Sequence, residues 1–396
     1  KDEGIFSTKI QEEKMKKKII AMIAAAAMVF SACGNNEAGQ EVNEDVIKIG
    51  SIFPLTGQYS NYGQSTLNGM KIAIDEINEA GGINGKTISL ESLDDKGELT
   101  DSVTSYQKLA ESGAQAIVGT STSSPSLAIA EASLADGIPI ITPTGTEESI
   151  TEGKANVFRT CFTNPYQGEL LAIFAKDSLD AKTAAILVNS ASDYSTGIAE
   201  SFEKKAAELG IDVVAKESYG ENDTDFKAQL TSIASEDPDV LLLPEYYEKL
   251  SLIAPQARDS GINATFIGGD GWDGILKTVD ESSYDLIQNS YFTNHFSIED
   301  DNPRVKEFIE TYRNTYNEDP TAFSALGYDT IYIIKEGFEK AQSDSNEDRI
   351  AAIKTLDFDG ITGAFSFDDN NNPKKDASIM KIDGGEYKFD SIVSPR

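Results

Sequence analysis

Residues 46–82 read VIKIGSIFPLTGQYSNYGQSTLNGMKIAIDEINEAGG, two periodicities laid end to end. Residues 47–53 form an apolar-rich run of strand length. Leu67, Met70, Ile74 and Ile77 then recur on one helical face, and Gly81-Gly82 stops that helix. The alternation continues downstream. Strands are expected over 87–93, 116–119 and 138–142, with helices over 100–112 and 125–135. This is βαβαβαβ, the pattern of a parallel sheet covered on both faces.

A second set opens at Asn164-Pro165, an N-cap and N1 pair ahead of a helix through Phe174. Strands over 184–188, 213–218, 240–243 and 265–268 alternate with helices over 196–209, after Asp223 and over 246–259. Pro255 removes a hydrogen bond inside the last of these, which predicts a kink or a later helix start. Residues 302–341 are helical again, with Phe308, Ile309 and Tyr312, then Tyr328, Ile331, Ile334 and Phe338, on apolar faces. The run FSFDDNNNP (365–373) is oxygen-rich enough to suggest a calcium loop. It lacks the Gly and distal Glu of an EF-hand, so a β-hairpin turn is expected.

The 396 residues give room for two domains at roughly 100–200 residues each. With 66 acidic against 34 basic residues, the formal charge is −32. Gripping phosphates requires Lys and Arg, so neither nucleic acid nor an anionic lipid surface is an expected partner. One His and two Cys leave few ligands for structural zinc and nothing for a disulfide framework. No nucleophile elbow, zinc-protease helix, Walker motif or dinucleotide glycine pattern occurs in a suitable context. No catalytic residue, metal or cofactor is expected.

Lys16, Lys17 and Lys18 follow Met15 and precede an apolar run over 19–30, closed by Ser31, Ala32 and Cys33. A basic start, about a dozen apolar residues and a small-residue end read as a secretory signal over 15–32. The run is too short to span a membrane, which takes about 20 residues. Cys33 after two small residues resembles the lipobox of bacterial lipoproteins, which implies cleavage before it and lipidation. A plain signal peptide with an accidental Cys is the alternative. Residues 1–14 have the wrong polarity and are expected to be an upstream extension, with 33–45 a flexible tether. Cys161, left without a partner, reads as a small core residue.

Ligands of open parallel sheets bind beyond the carboxyl ends of the strands. After residues 116–119 come Thr120, Ser121, Thr122, Ser123 and Ser124, then Pro125. With Ser124 as cap and Ser123 just ahead, hydroxyls and free helix N–H groups converge on an anion site suited to a carboxylate. An ordinary Ser/Thr-rich connection would look the same. Thr142-Pro143-Thr144-Gly145-Thr146 places a second hydroxyl cluster at the next strand end. In the second half, Gly268-Gly269-Asp270-Gly271-Trp272 offers a carboxylate for a cation, or a cap for the following turn. Tyr62, Tyr194 and Tyr246-Tyr247 fall after strands or at loop tips. Anion donors, a carboxylate and aromatic rings together describe a receptor for a zwitterion with an apolar side chain.

Four motifs, GSIFPLTG (50–57), AIDEINEAGGING (73–85), IPIITP (138–143) and ALGYD (325–329), occur in an order that resembles the type I periplasmic binding proteins, specifically their leucine/isoleucine/valine-binding branch. The resemblance runs from Ile47 to the last strand. It implies an α/β fold of two doubly wound, Rossmann-like lobes, 46–163 with 294–376 and 164–293 with 377–396. Three crossover segments near Phe162, Asn294 and Ala377 would join them as a Venus flytrap. It also implies that Ser123 and Thr146 bind a ligand α-carboxylate, that Thr144 and Thr146 share the ammonium, and that Asp270 completes ammonium binding. Tyr62, Tyr194 and Tyr246 would wall the ligand, with Ser121, Thr122, Trp272 and Phe323 as weaker candidates. Ser121 and Thr122 stand where aliphatic-specific members are more apolar, and the family's common first-lobe disulfide has no cysteines here.

The function expected is solute binding for an ABC importer, by an extracytoplasmic, lipid-anchored monomer that hands a branched-chain or other apolar amino acid to a permease and its ATPase. An aromatic or small polar amino acid, or another small carboxylate, is the alternative ligand. An exported carboxylate-based enzyme and a ligand-sensing lipoprotein are the alternative classes. His295 is expected to be a loop residue of the second crossover.

Overall fold

The computed structural model describes residues 46–394. The expected extension, signal, Cys33 and tether lie outside the described residues. Five strands, β1 (Val46–Phe53), β2 (Thr87–Asp94), β3 (Ala116–Gly119), β4 (Ile140–Thr142) and β5 (Val157–Arg159), form a wholly parallel sheet in the order β2-β1-β3-β4-β5. The order reverses at β1 and β3, which opens a crevice at their carboxyl ends. Helices α1 (Ser60–Glu79), α2 (Leu99–Glu111) and α3 (Ser123–Ser133) connect these strands.

The second sheet contains β6 (Thr183–Asn189), β7 (Asp212–Tyr219), β8 (Val240–Leu242), β9 (Thr265–Gly268) and β10 (Tyr291–Asn294), parallel in the order β10-β9-β8-β6-β7. Helices α4 (Asn164–Asp177), α5 (Asp193–Leu209), α6 (Lys227–Glu236) and α7 (Tyr247–Asp259) belong to this lobe. After β10 the chain returns to the first lobe through α8 (Pro303–Tyr316), α9 (Ala322–Lys340) and α10 (Asn346–Lys354). There Phe308, Ile331 and Ile353 share one core with Ile47 and Ile49 of β1. A hairpin of β11 (Asp357–Gly360) and β12 (Gly363–Ser366) follows. The antiparallel pair β13 (Ala377–Asp383) and β14 (Glu386–Val393) then completes the second sheet at its β10 edge. The chain thus passes between the sheets three times.

The motifs have structural reasons. In 73–85, Gly82 takes φ +76° and a Cβ there would sit 2.1 Å from the Lys86 carbonyl oxygen, so the turn into β2 needs glycine. In 325–329, Gly327 lets α9 cross α1 closely: a Cβ would lie 2.3 Å from the Thr66 carbonyl oxygen. Gly69 on α1 faces the Ser324 carbonyl in the same crossing. Buried Asp329 accepts from the backbone N–H groups of Ile361 and Thr362 at 2.9 and 2.8 Å and from the Thr362 hydroxyl, fastening the β11–β12 turn to α9.

Several local expectations are corrected. Thr163, not Asn164, caps α4 by accepting the Tyr166 N–H, so Pro165 is its second residue. Helix α3 begins at Ser123 with Thr122 at the cap position, two residues ahead of the predicted start, and Ser124 lies inside it. The helical stretch over 302–341 is two helices, parted where Asn317 turns left-handed and Thr321 caps α9. Pro255 lies inside a continuous α7. In the 365–373 run, Asp368 accepts from the N–H groups of Asn370 and Asn372, and Phe367 pairs with Pro373, so this is the hairpin turn. Cys161 is fully buried, its Sγ 3.3 Å from the Gly145 carbonyl oxygen, and burial pushes its thiol up to about 12.

Candidate functional site

The crevice beyond β3 and β4 is lined by two hydroxyl-rich loops, and most of those hydroxyls hold the loops together. Ser126 Oγ donates to the Thr122 carbonyl at 2.8 Å, Thr142 Oγ1 accepts the Gly145 N–H at 2.9 Å, and Thr144 Oγ1 donates to the Ser121 carbonyl at 2.9 Å. Thr144 therefore has its backbone, rather than its hydroxyl, to offer. Ser123 Oγ and Thr146 Oγ1 stand 3.4 Å apart, and the buried Ser121 Oγ has no protein partner. Ser123, in the first turn of α3, faces the phenol of Tyr246 from the other lobe, and its donors oppose the burial that raises that phenol. The helix dipole and the free N–H groups of this first turn favour an electronegative atom there.

Opposite, β9 ends in Gly268-Gly269 and a single 3₁₀ turn, Asp270–Trp272. A Cβ on Gly269 would lie 2.5 Å from the Tyr194 hydroxyl, so the backbone hugs that phenol. Asp270 does not cap the turn. Its Oδ1 accepts from the Tyr194 hydroxyl at 3.0 Å, its Oδ2 lies 3.2 Å from His295 Nε2, and its N–H donates to Gln167 Oε1 at 2.8 Å. Gln167, on α4, also accepts from the Thr293 hydroxyl at 2.8 Å. Burial, with the Asp270 charge second, raises the Tyr194 phenol far above its ordinary range, so it stays a neutral donor. His295 is a loop residue directly after β10, as expected, but a buried one, and burial lowers its imidazolium to about 4 against the pull of Asp270.

Aromatic rings close the space between the loops. Tyr62, on α1, stacks on Phe323 with centroids 4.2 Å apart and meets Tyr247 edge-on at 4.6 Å. Its hydroxyl donates to the Gly271 carbonyl at 2.5 Å and accepts the Tyr247 N–H at 3.3 Å, joining the lobes. Tyr194 stacks on Tyr246 at 4.5 Å. A cleft of about 790 Å³ bordered by Tyr59, Ser123, Asn189, Glu245 and Tyr246 leads outward from these rings. Glu245 is buried on its wall. Desolvation raises its carboxyl although Tyr219, Tyr246 and Asn189 all donate to it.

Of the residues expected to bind ligand, Tyr62, Ser123, Tyr194, Tyr246, Asp270 and Phe323 are brought into one connected set. Ser121, Thr122, Thr144 and Thr146 line the adjoining loops. Trp272 is instead built into the second lobe's core, its indole N–H donating to the Leu243 carbonyl at 2.9 Å. Sequence reasoning missed Gln167 and the role of His295, which carried no local signal; Tyr247 was noted only as the second half of the Tyr-Tyr pair. Chemically, the arrangement offers anion donors on one side, a carboxylate on the other and aromatic surfaces between.

A family model described as periplasmic binding protein matches residues 46–386. A Leu/Ile/Val-binding protein of Rhizobium johnstonii is 33% identical over 306 residues, covering 77% of this chain and 82% of the relative. Among solved structures, a leucine-binding protein of Thermotoga maritima superposes with a TM-score of 0.81 at 31% identity, covering 88% of this chain and 99% of that one. A branched-chain amino acid transporter substrate-binding protein of Streptococcus pneumoniae, in complex with isoleucine, superposes with a TM-score of 0.80 at 32% identity, covering 89% and 100%.

Proposed function

We propose that this chain, which belongs to the periplasmic binding protein family, captures a free amino acid with an apolar side chain, most simply leucine, isoleucine or valine, and delivers it to the permease of an ABC importer. The family is one of binding proteins rather than enzymes. The observation that carries the reading is the opposition of Ser123, with its α3 N–H groups, to Asp270 across a gap walled by Tyr62, Tyr194 and Tyr246. The ligand carboxylate takes the position the Tyr246 hydroxyl holds, sharing Ser123 and Thr146. The ammonium goes to Asp270 and the Thr144 and Thr146 loop, and the side chain lies among the rings. A buried zwitterion is stable only when every donor and acceptor is met, because a stranded charge costs several kcal/mol.

The lobes divide at 163/164, 293/294 and 376/377 and close about those points as ligand bridges them. Lipidation at Cys33 tethers the receptor outside the cytoplasmic membrane, beside a permease powered by an ATPase on the other side. The test is a thermal-shift screen of the unfolded and refolded protein against the twenty amino acids and simple carboxylates. Ligand at 100 times its dissociation constant should stabilise by about 2.7 kcal/mol. Shifts with leucine, isoleucine and valine support the reading. Silence there with a shift from an aromatic or non-amino carboxylate replaces the ligand.

A further inference from the structure

His295 is the only histidine in the chain, and it follows directly on β10, where the second crossing begins. Its ring stacks on Phe162 of the first crossing with centroids 3.6 Å apart, and it holds one oxygen of Asp270 while Tyr194 holds the other. A carboxylate only accepts, so a neutral ring in this place carries its proton on Nε2. Its Nδ1 is buried and has no partner, so a second proton would sit on a donor with nothing to receive it.

We propose that His295 is a positioning residue for ammonium capture: its neutral ring donates Nε2–H to Asp270 and fixes the carboxylate's direction while leaving its charge for the ligand, and a second proton on the ring cancels that charge and releases the ligand. This rests on the amino-acid reading above. An aspartate pinned by two neutral donors keeps its full charge and has lone pairs to spare for an ammonium. The same carboxylate facing an imidazolium would have its charge already answered. The groups facing the ring decide between the two forms. Asp270 favours the imidazolium. Lys375, on the third crossing and bonded to the Thr362 hydroxyl at 3.2 Å, opposes it. Cys161, one residue from Phe162, is held as a neutral thiol by burial. Glu299, Asp300 and Asp376 border the 480 Å³ cavity that His295 and Lys375 share. Desolvation, with Lys375, outweighs Asp270 and keeps the ring neutral.

A lone histidine makes the test direct. In ligand-free protein, ¹H–¹⁵N spectra of the imidazole should show one neutral Nε2–H tautomer at pH 7 that does not titrate until below pH 5. An imidazolium or an Nδ1–H tautomer at pH 7 overturns the proposal. Calorimetry with L-leucine on wild type, His295→Gln and His295→Phe supplies the second readout. His295→Phe should lose tenfold or more in affinity at pH 7, and His295→Gln, which can still donate to Asp270, should recover most of that loss. Between pH 6 and pH 3.5 the wild type should weaken about fourfold more than His295→Gln, the factor by which the neutral fraction of a ring titrating near 4 falls. Parallel pH profiles for the two, or a His295→Phe as tight as wild type, overturn it. If His295→Phe fails to fold, the profile of His295→Gln decides alone. A wild type that ignores every amino acid faults the functional reading instead, while the imidazole spectrum still decides the pair.

Discussion

Asp270 has both oxygens engaged by donors that carry no charge, Tyr194 and His295, and its backbone N–H anchored by Gln167. Removing the carboxylate should therefore strand a ligand ammonium rather than relax the site. Asp270→Ala is expected to weaken amino-acid binding by about 2–5 kcal/mol in calorimetry, and unchanged affinity would take Asp270 out of the site. Buried His295 has its own consequence for stability. Its folded value, about 4, lies below the unfolded value near 6.5, so between these values the unfolded chain binds the extra proton. The contribution is complete above about pH 6.5 and is lost as pH falls toward 4, to a total of at most about 3 kcal/mol. Denaturant titrations of wild type and His295→Gln at pH 7 and pH 4.5 should show the smaller acid loss in the variant. The Ser/Thr loops and Gly-Gly-Asp were legible in the sequence because each directly follows a strand. His295 and Gln167 were not, because they lie 25 and 103 residues from Asp270 and only the folding of the second lobe, with the crossing that begins after β10, brings them to it.

Helices α1 and α9 come closest at glycines. A Cβ at Gly69 would lie 1.8 Å from the Ser324 carbonyl oxygen, a backbone atom that cannot swing aside. Gly69→Ala and Gly327→Ala are each expected to destabilise by about 1–3 kcal/mol, read as a lower denaturation midpoint. A midpoint unchanged in both would mean that the helices can slide apart freely. Asp329→Asn should loosen the β11–β12 turn by removing a buried acceptor from three donors, and hydrogen exchange at Ile361 and Thr362 should rise. Strand and helix periodicity located the strands of both sheets before β10 except β5, whose three residues Val157–Arg159 are too few to show a pattern and have no α-helix before them. Helix starts were less legible. Thr163 and Asn164 are adjacent and equally competent caps, as are Thr122 and Ser124, and only the path of the incoming strand separates them.

Across the molecule, closure is supported by contacts that involve no ligand. The Tyr62 hydroxyl bonds the Gly271 carbonyl, and the Tyr247 hydroxyl donates to the Gln58 carbonyl at 2.7 Å and accepts the Asn61 N–H at 3.3 Å. Tyr247→Phe should shift the ligand-free population toward open forms, with a larger radius of gyration in small-angle scattering and a two- to tenfold weaker apparent affinity, about 0.5–1.5 kcal/mol. An unchanged radius would assign those bonds to the interior of a rigid body. The interleaving of the lobes also dictates the order in which they can be made. The first sheet is complete at Arg159, yet its core waits for Phe308, Ile331 and Ile353, and the second sheet waits for β13 and β14. A growing chain that has reached residue 300 holds Ile52, Tyr106 and Val157 of one face of the first sheet but lacks the Phe308, Ile331 and Ile353 that cover the other. Neither lobe can be finished until nearly all of the chain has been synthesised, so a chain cut off there leaves one face of the first sheet incompletely covered and the second sheet without its last two strands.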